Sequence, residues 1–599
     1  MTEKFMSMKN LQFTLHTKLT SIEKMHAKAL GDHNKKSIDM VLDAAYDFAQ
    51  KALHPIFEEM DRNPPVLSDG QVLVHADVRN ILKVLGKDGW ISAVFPEKWD
   101  GEKMPSFLFH CINFILGSAN YSASAYLGLT IGAAKLIETF GSESLQKAYL
   151  PFMLSGKWQG TMALTEPEAG SSLGDLTTQA VPLKDGIYKI FGEKIFISAG
   201  DHDGVDNVVH LMLARIKGAP AGTKGISLFV VPKLRLDEKG HFVSNDVIVT
   251  QLFHKLGYRG TPITGIRMGE KDNCLGYLVG EANKGLFHMF QMMNSARLEV
   301  GMGATAIATA AFHAALDYCR TRKQGRKLTD VKDAPPVPII QHPDVKRMLL
   351  FQRSISEGAL ALILQCGIYE DILEHHPHEK DLHLLLELLT PVAKSFPSEM
   401  GILSVSQSLQ CFGGYGYCDD FPVEQHFRDM RIHTIHEGTT GIQAMDLLGR
   451  KVVMEDGRGL VLLKQEMVAC MERVTRHKSL EQMAEELSWG ISVLEETTMA
   501  LGALAMEKGA GAYLADATLF LEMMGVLVIA WQWLSMAEAA FAQLGKRSVK
   551  KNDSLFYEGK IYVAKYYFSH ELPKMSALSQ ILTRASRVTL EMPEACFTN

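Results

Sequence analysis

The residues best placed to do chemistry sit in one run, Gln410 to Lys451, dense in glycine, aromatics and paired charges. Within it, Ile435-His436-Glu437-Gly438-Thr439-Thr440 puts a lone carboxylate at the head of a Gly-Thr turn. A turn of that kind holds a carboxylate at the rim of a cavity, where a proton can be taken from carbon. A second word, Met162 through Gly174 (MALTEPEAGSSLG), offers hydroxyls on Thr165, Ser171 and Ser172 and bare backbone at Gly170. A phosphate-bearing or flavin ligand can use such a wall of small donors. Read alone, the same string is a Pro-Gly turn between helix and strand.

Three further words are weaker. Glu193–Gly200 (EKIFISAG) reads as a strand with Phe196 on one face. Arg322-Lys323-Gln324 closes a helical pattern, where cations ordinarily complement the helix dipole. The GxGxxA string at Gly301–Ala306 is nominally a dinucleotide fingerprint, but Asn294-Ser295-Ala296-Arg297 before it is no buried strand. Its small residues describe instead a helix packed closely on its neighbours. His375, His376, His378 and His383 gather around Pro377 with no helical ligand spacing, so a solvated loop is expected and no metal site.

The elements that must position these words form four blocks. Apolar spacing of three and four predicts helices up to about Leu150. From Gly160 the pattern turns to strands. Thr178–Leu183 and Tyr188–Ile197 flank a Lys184-Asp185-Gly186 turn as a hairpin, and Asn207–Arg215, Ile226–Pro232 and Val247–Leu252 follow. Helical periodicity returns at Asn283, and a break at Glu455–Gly459 precedes a last helical stretch. The expected domains are 1–159 (helical), 160–275 (β), 276–453 (helical) and 454–599 (a helical appendix).

Bulk properties bound the function. At 599 residues the chain exceeds a single core. A net charge of −6 from 62 basic and 68 acidic residues gives no nucleic-acid footprint. Eight cysteines stand singly, as in a reduced, cytoplasmic setting. The start lacks a secretory apolar stretch. The longest uncharged apolar run, Met523–Ala537, is too short to span a bilayer, so a buried helix and no transmembrane segment are expected.

The run around Glu437 resembles the C-terminal signature of the acyl-CoA dehydrogenases, flavoenzymes that desaturate thioesters between Cα and Cβ. The 162–174 word is similar to that family's MxxTEPxAGSxxG signature, and the resemblance covers nearly the whole chain. It implies an α+β, mainly α fold: N-terminal helical domain, middle β-barrel-like domain, C-terminal four-helix bundle, and here an extra helical domain. It implies FAD as cofactor and Glu437 as base. Met162, Leu164, Thr165 and Ser171 would face the flavin and phosphates, with Phe196 and Ser198 beside the ring. Arg322, Gln324, Gln410, Gly413 and Gly414 would reach the flavin of a partner subunit, implying a homodimer. Thr439 would join the cofactor contacts, while Ser171, Arg297 and Gly438 would meet the acyl-CoA substrate.

Some relatives draw the base from the position held here by Ala296, which cannot act, leaving Glu437. Departures are Phe196 and Ser198 for the usual Trp and Thr, Gly303 for Gln, His436 for Tyr and Gly441 for Gln. The start, from Met8, and the tail, from Leu494 through Tyr567, resemble a long bacterial subgroup that includes fatty-acyl and 3-methylmercaptopropionyl-CoA dehydrogenases. The implied setting is fatty acid β-oxidation, with electron-transfer flavoprotein as acceptor. Rival readings are an acyl-CoA oxidase that uses oxygen, and a flavin-free interaction scaffold.

Overall fold

In the computed structural model, helices precede and follow a β block along the chain, in the order that the apolar spacing predicts. The structure describes all residues except 1–3, 20–32, 238, 328, 330, 332, 475–476, 547, 585, 587 and 599. It divides into two units, one of Met1–Leu42 with Arg297–Asn599 and the other of Asp43–Ala296. The helices used below are α1 (Met8–Phe13), α2 (Ser106–Phe140), α3 (Glu143–Leu154), α4 (Gly285–Thr321), α5 (Pro343–His375), α6 (Lys380–Phe412), α7 (Val423–Met430) and α8 (Thr440–Asp446). The appended helices are α9 (Arg458–Val474), α10 (Glu481–Leu514), α11 (Ala517–Leu544), α12 (Lys551–His570) and α13 (Lys574–Thr583).

The Asp43–Ala296 unit begins with helices but also holds a short hairpin, β1 (Val66–Ser68) with β2 (Gln71–Leu73), where helix alone is expected. Its cause is the Asp69-Gly70 pair, both left-handed (φ 49° and 78°), a geometry that closes two-residue hairpins. The main sheet comprises β3 (Trp158–Ala163), β4 (Gln179–Pro182), β5 (Ile187–Ser198), β6 (Asn207–Ile216), β7 (Ile226–Pro232), β8 (Val247–Leu252), β9 (Ile263–Met268) and β10 (Leu275–Val279). Its order is β8-β9-β5-β10-β7-β6-β3, with β4 pairing β5 and β6. The expected hairpin is present: β4 and β5 pair antiparallel around Asp185 and Gly186 (φ 56° and 73°). Ile190, Ile197, Met212, Phe229, Val231 and Ile266 fill one face of the sheet.

In the other unit α5 and α6 run together, and α11 packs on both and on α12. Trp533 of α11 is fully buried, with its indole N–H on the Ser354 carbonyl at 2.8 Å. By length and composition α11 is the one helix among the described residues apolar enough to cross a membrane, and 83% of that window is buried inside the protein. The rejected fingerprint is helical: a Cβ at Gly301 of α4 would stand 2.1 Å from the Ala393 carbonyl oxygen of α6. Glycine is therefore required there for backbone approach. The N-terminal segment joins this unit through Phe13, whose ring lies 5.5 Å from Phe556, and through buried Lys18 and Lys560. His375 ends α5, α6 begins at Lys380, and the histidines around Pro377 are exposed.

Candidate active site

Thr439 starts the site's local order. Its hydroxyl accepts the Ile442 N–H at 3.3 Å and caps α8, five residues after the helical turn Arg431–Thr434 ends. Between the two, Glu437 and Gly438 are both left-handed, with φ 54° and 82°. A non-glycine residue there costs ~1–3 kcal/mol and persists only where its surroundings hold it. They do so through main-chain carbonyls: Gln443 Nε2 donates to Glu437 O at 3.1 Å, and Lys394 Nζ donates to Gly438 O at 2.8 Å and His433 O at 2.7 Å.

The turn leaves the carboxyl of Glu437 half-buried, and no described residue hydrogen-bonds or ion-pairs with it. Burial raises its pKa above the ordinary carboxylate range, and the charges of Arg297 and Lys394 partly oppose that. His433 and His436, edge to face at 5.1 Å, are kept neutral by burial, His433 down to about 3 and His436 well below its usual value. Arg297 is buried in an ion pair with Asp446 at 2.9 Å, and Asp446 also holds Arg450 at 2.7 Å. Arg297 Nε lies buried without a partner. The structure thus gathers Glu437, Gly438, Thr439 and Arg297 around one turn. It adds Lys394 and Gln443, whose only signal in the sequence is polarity within apolar helical runs.

A second group lies where α4 and α6 end. Tyr318 and Phe412 stack at 4.3 Å, and Phe421 joins both. Arg322 and Gln324 follow the first ring, while Gln410, Gly413 and Gly414 flank the second, and all five are exposed. The Gln324 N–H on Val337 O (3.0 Å) and His342 Nε2 on Gln324 O (2.7 Å) fix the backbone. A Cβ at Gly413 or Gly414 would meet nothing within 4 Å, so this is open surface.

The third group belongs to the sheet unit. Opposite β9, strand β5 carries one extra residue, Ile195 and Phe196 standing against the single Gly265, since Ile266 faces Lys194 and Thr264 faces Ile197. This bulge gives Phe196 a φ of 58° and turns its ring outward, 57% exposed and 4.7 Å from Phe253. Ser198 ends the same strand. The 162–174 word is tied to β5 by the Ile195 N–H on Thr165 O at 2.9 Å and by Lys194 Nζ on Leu164 O at 2.9 Å.

Beneath the word, Glu166 and Lys194 form a buried pair at 2.8 Å. Glu166 also accepts from the Thr177 N–H (2.6 Å), the Thr177 hydroxyl (2.8 Å) and the Thr178 N–H (3.0 Å). Burial pushes this carboxyl up, but Lys194 and the hydrogen bonds outweigh it and hold the acid at about 2. The same burial draws Lys194 down to about 8, so both are charged at neutral pH. Ser171 and Ser172 stay exposed, while Met162, Leu164 and Thr165 are half-buried. An outward aromatic ring beside a rigid loop of hydroxyls suits a planar, hydrogen-bonding ring system such as a flavin.

Comparison with known proteins identifies the architecture. The acyl-CoA dehydrogenase N-terminal domain matches residues 35–157, the middle domain 161–270 and the C-terminal domain 283–452. A pattern described as acetyl-CoA dehydrogenase C-terminal like matches 463–593. A 3-methylmercaptopropionyl-CoA dehydrogenase of Ruegeria pomeroyi is 38% identical, over 88% of this chain and 89% of its own. A broad-specificity linear acyl-CoA dehydrogenase of Mycobacterium tuberculosis is 32% identical over 95% and 96%. The crystal structure of a Caenorhabditis elegans protein (ACDH-11) in complex with C11-CoA has the same fold, with TM-score 0.76, 18% identity and coverage of 97% and 96%. The chain belongs to the acyl-CoA dehydrogenase family.

Proposed function

We propose that this chain is an FAD-dependent dehydrogenase of acyl-CoA thioesters, introducing a trans double bond between Cα and Cβ with Glu437 as the base. The observation that carries the reading is the Glu437 carboxyl: half-buried, unpaired and presented by a left-handed turn. A carboxyl of that kind is poorly solvated, and burial raises its affinity for a proton, which suits removal of a weakly acidic α-proton. The α-proton passes to its carboxylate oxygen, and the charges of Arg297 and Lys394 favour the ionised form against the cost of burial.

FAD, when bound, supplies the two-electron acceptor for the β-hydrogen that no side chain can provide. Met162, Leu164, Thr165, Ser171, Phe196 and Ser198 would hold it in the sheet unit, with Thr439 beside the base. Arg322, Gln324, Gln410, Gly413 and Gly414 would contact the flavin of a partner subunit, making the working species a homodimer. Ser171, Arg297 and Gly438 would serve the thioester. We further assign reoxidation to electron-transfer flavoprotein, and the cytoplasm and fatty acid β-oxidation as the setting. The Ruegeria relative supports 3-methylmercaptopropionyl-CoA as a substrate to test beside straight acyl chains.

The test is the visible spectrum of the purified protein, mixed without oxygen with a panel of acyl-CoAs. Bleaching by particular thioesters, lost in Glu437→Gln, establishes the reaction and ranks the chains. A flavin that no acyl-CoA bleaches overturns the substrate class. A colourless protein that FAD cannot reconstitute favours the scaffold reading, and peroxide released under air favours the oxidase.

A further inference from the structure

Lys394 is a lysine in an unusual place. It sits in the interior of α6 between Ala393 and Ser395, its side chain wholly out of solvent. A buried ammonium ordinarily takes a carboxylate partner, because desolvation costs several kcal/mol per ion. Among the described residues none forms an ion pair with Lys394. Its Nζ instead spends its donors on two main-chain carbonyls, His433 O at 2.7 Å and Gly438 O at 2.8 Å. Those carbonyls bracket Thr434, Ile435, His436 and Glu437, the segment that leaves the helical turn and becomes left-handed at Glu437.

We propose that Lys394 is a positioning residue for the base: it clamps both ends of the Glu437 turn and places a fixed cation behind the carboxylate. The proposal rests on Glu437 being the base. Two features support the clamp. Charge-assisted donors hold carbonyls about twice as strongly as neutral ones. Among the described residues the remaining tie is a neutral bond, Gln443 Nε2 to Glu437 O at 3.1 Å, weaker than the charged donor on Gly438 O. The electrostatic role follows from the neighbours. Glu437 faces Lys394 from the turn, Glu399 from α6 itself and Arg297 from α4, and the two histidines of the turn are neutral. Burial pulls Lys394 down to about 8, and the two carboxylates oppose that pull, so it is cationic at pH 7. Removing its charge takes away one of the two influences holding the Glu437 pKa down.

The experiment uses FAD-loaded enzyme and an acyl-CoA that bleaches it. In stopped flow without oxygen, the limiting reduction rate and the dissociation constant are read across pH for wild type, Lys394→Met and Lys394→Gln. A positioning role predicts unchanged flavin content and thioester affinity within about threefold. It also predicts a reduction rate lowered on the order of 10- to 100-fold, the scale of a misplaced reacting group. The acid limb of the rate should move to higher pH in both variants. Lys394→Gln, which keeps a donor for one carbonyl, should recover part of the rate and none of the shift. It decides the question if Lys394→Met does not fold. Reduction at the wild-type rate with an unmoved acid limb in the folded variant overturns the role of Lys394 while Glu437→Gln remains inactive. Full activity in Glu437→Gln overturns instead the base assignment beneath it.

Discussion

Two glutamates show how surroundings decide what a carboxylate does. Glu437 is half-buried without a partner among the described residues, so burial wins over Arg297 and Lys394 and its pKa rises. Glu166 is buried against Lys194 with three further hydrogen bonds, so pairing wins and its pKa falls to about 2. The first is poised to take a proton; the second is built to keep its charge and hold the 162–174 word on β5. Replacing Glu166 by Gln strands the Lys194 ammonium, a loss of ~3–5 kcal/mol for a broken buried pair. Denaturant titration at pH 7 should show that loss, together with weaker FAD retention. The sign with pH follows from the depressed value. The contribution of Glu166 is fully present above its unfolded pKa of about 4.3 and fades as pH falls through about 2. Wild type and Glu166→Gln should therefore converge in stability below pH ~4 and stay apart at neutrality.

At the scale of elements, close backbone approach sets which residues are replaceable. Gly301 of α4 faces the Ala393 carbonyl, and Pro397 lacks the N–H that a helix would otherwise send back to that oxygen. Gly301→Ala forces a methyl to 2.1 Å from the carbonyl and should cost ~1–3 kcal/mol through displaced helices. Gly502 of α10, whose Cβ would meet nothing within 4 Å, is the control. Gly502→Ala should gain ~0.5–1 kcal/mol, and thermal melts of the two variants distinguish the cases. These examples also mark what the sequence makes legible. The β4–β5 hairpin is readable because its turn residues and alternation are local, and Ile226–Pro232 and Val247–Leu252 match their strands end to end. The β1–β2 hairpin carried its Asp-Gly signal inside a helical background. Ile263–Met268 and Leu275–Val279 lie in Gly- and Asp-rich stretches and gain their strand character from sheet neighbours. The turn at Glu437 is visible as a word. Its clamp is not, because Lys394 precedes the turn by about forty residues and nothing local marks its direction.

At the scale of the whole molecule, buried lysines recur in the framework as well as at the Glu437 turn. Lys18 gives its ammonium to Gln365 Oε1 at 2.7 Å and to Gln532 Oε1, joining the N-terminal segment to α5 and α11. Lys560 meets Glu357 at 2.8 Å, bonds Asn10, and lies over the Phe13 and Trp533 rings. Burial lowers Lys18 to about 7 and Lys194, Lys394, Lys451 and Lys560 to about 8. An unfolded lysine titrates near 10.4. Between the two values the unfolded chain binds more protons, so stability rises with pH. Lys18 alone starts this rise from neutrality, at up to about 1.4 kcal/mol per pH unit for one group. Buried thiols set the upper limit: burial pushes Cys470 up to about 12 and Cys111 and Cys366 well above their usual range, against about 8.5 unfolded. The folded state then keeps their protons longer, and stability is lost above that pH. Urea titrations at closely spaced pH should therefore show the protein gaining stability from pH 7 toward ~8.5 and flattening beyond. Lys18→Met, which leaves no charge to bury, should be less steep between pH 7 and 8 and unaltered in slope above pH ~10.5, where both states of the lysine are neutral. An equal slope between pH 7 and 8 in the two proteins would mean that Lys18 keeps its proton in the interior, held by the two glutamine carbonyls against the cost of burial.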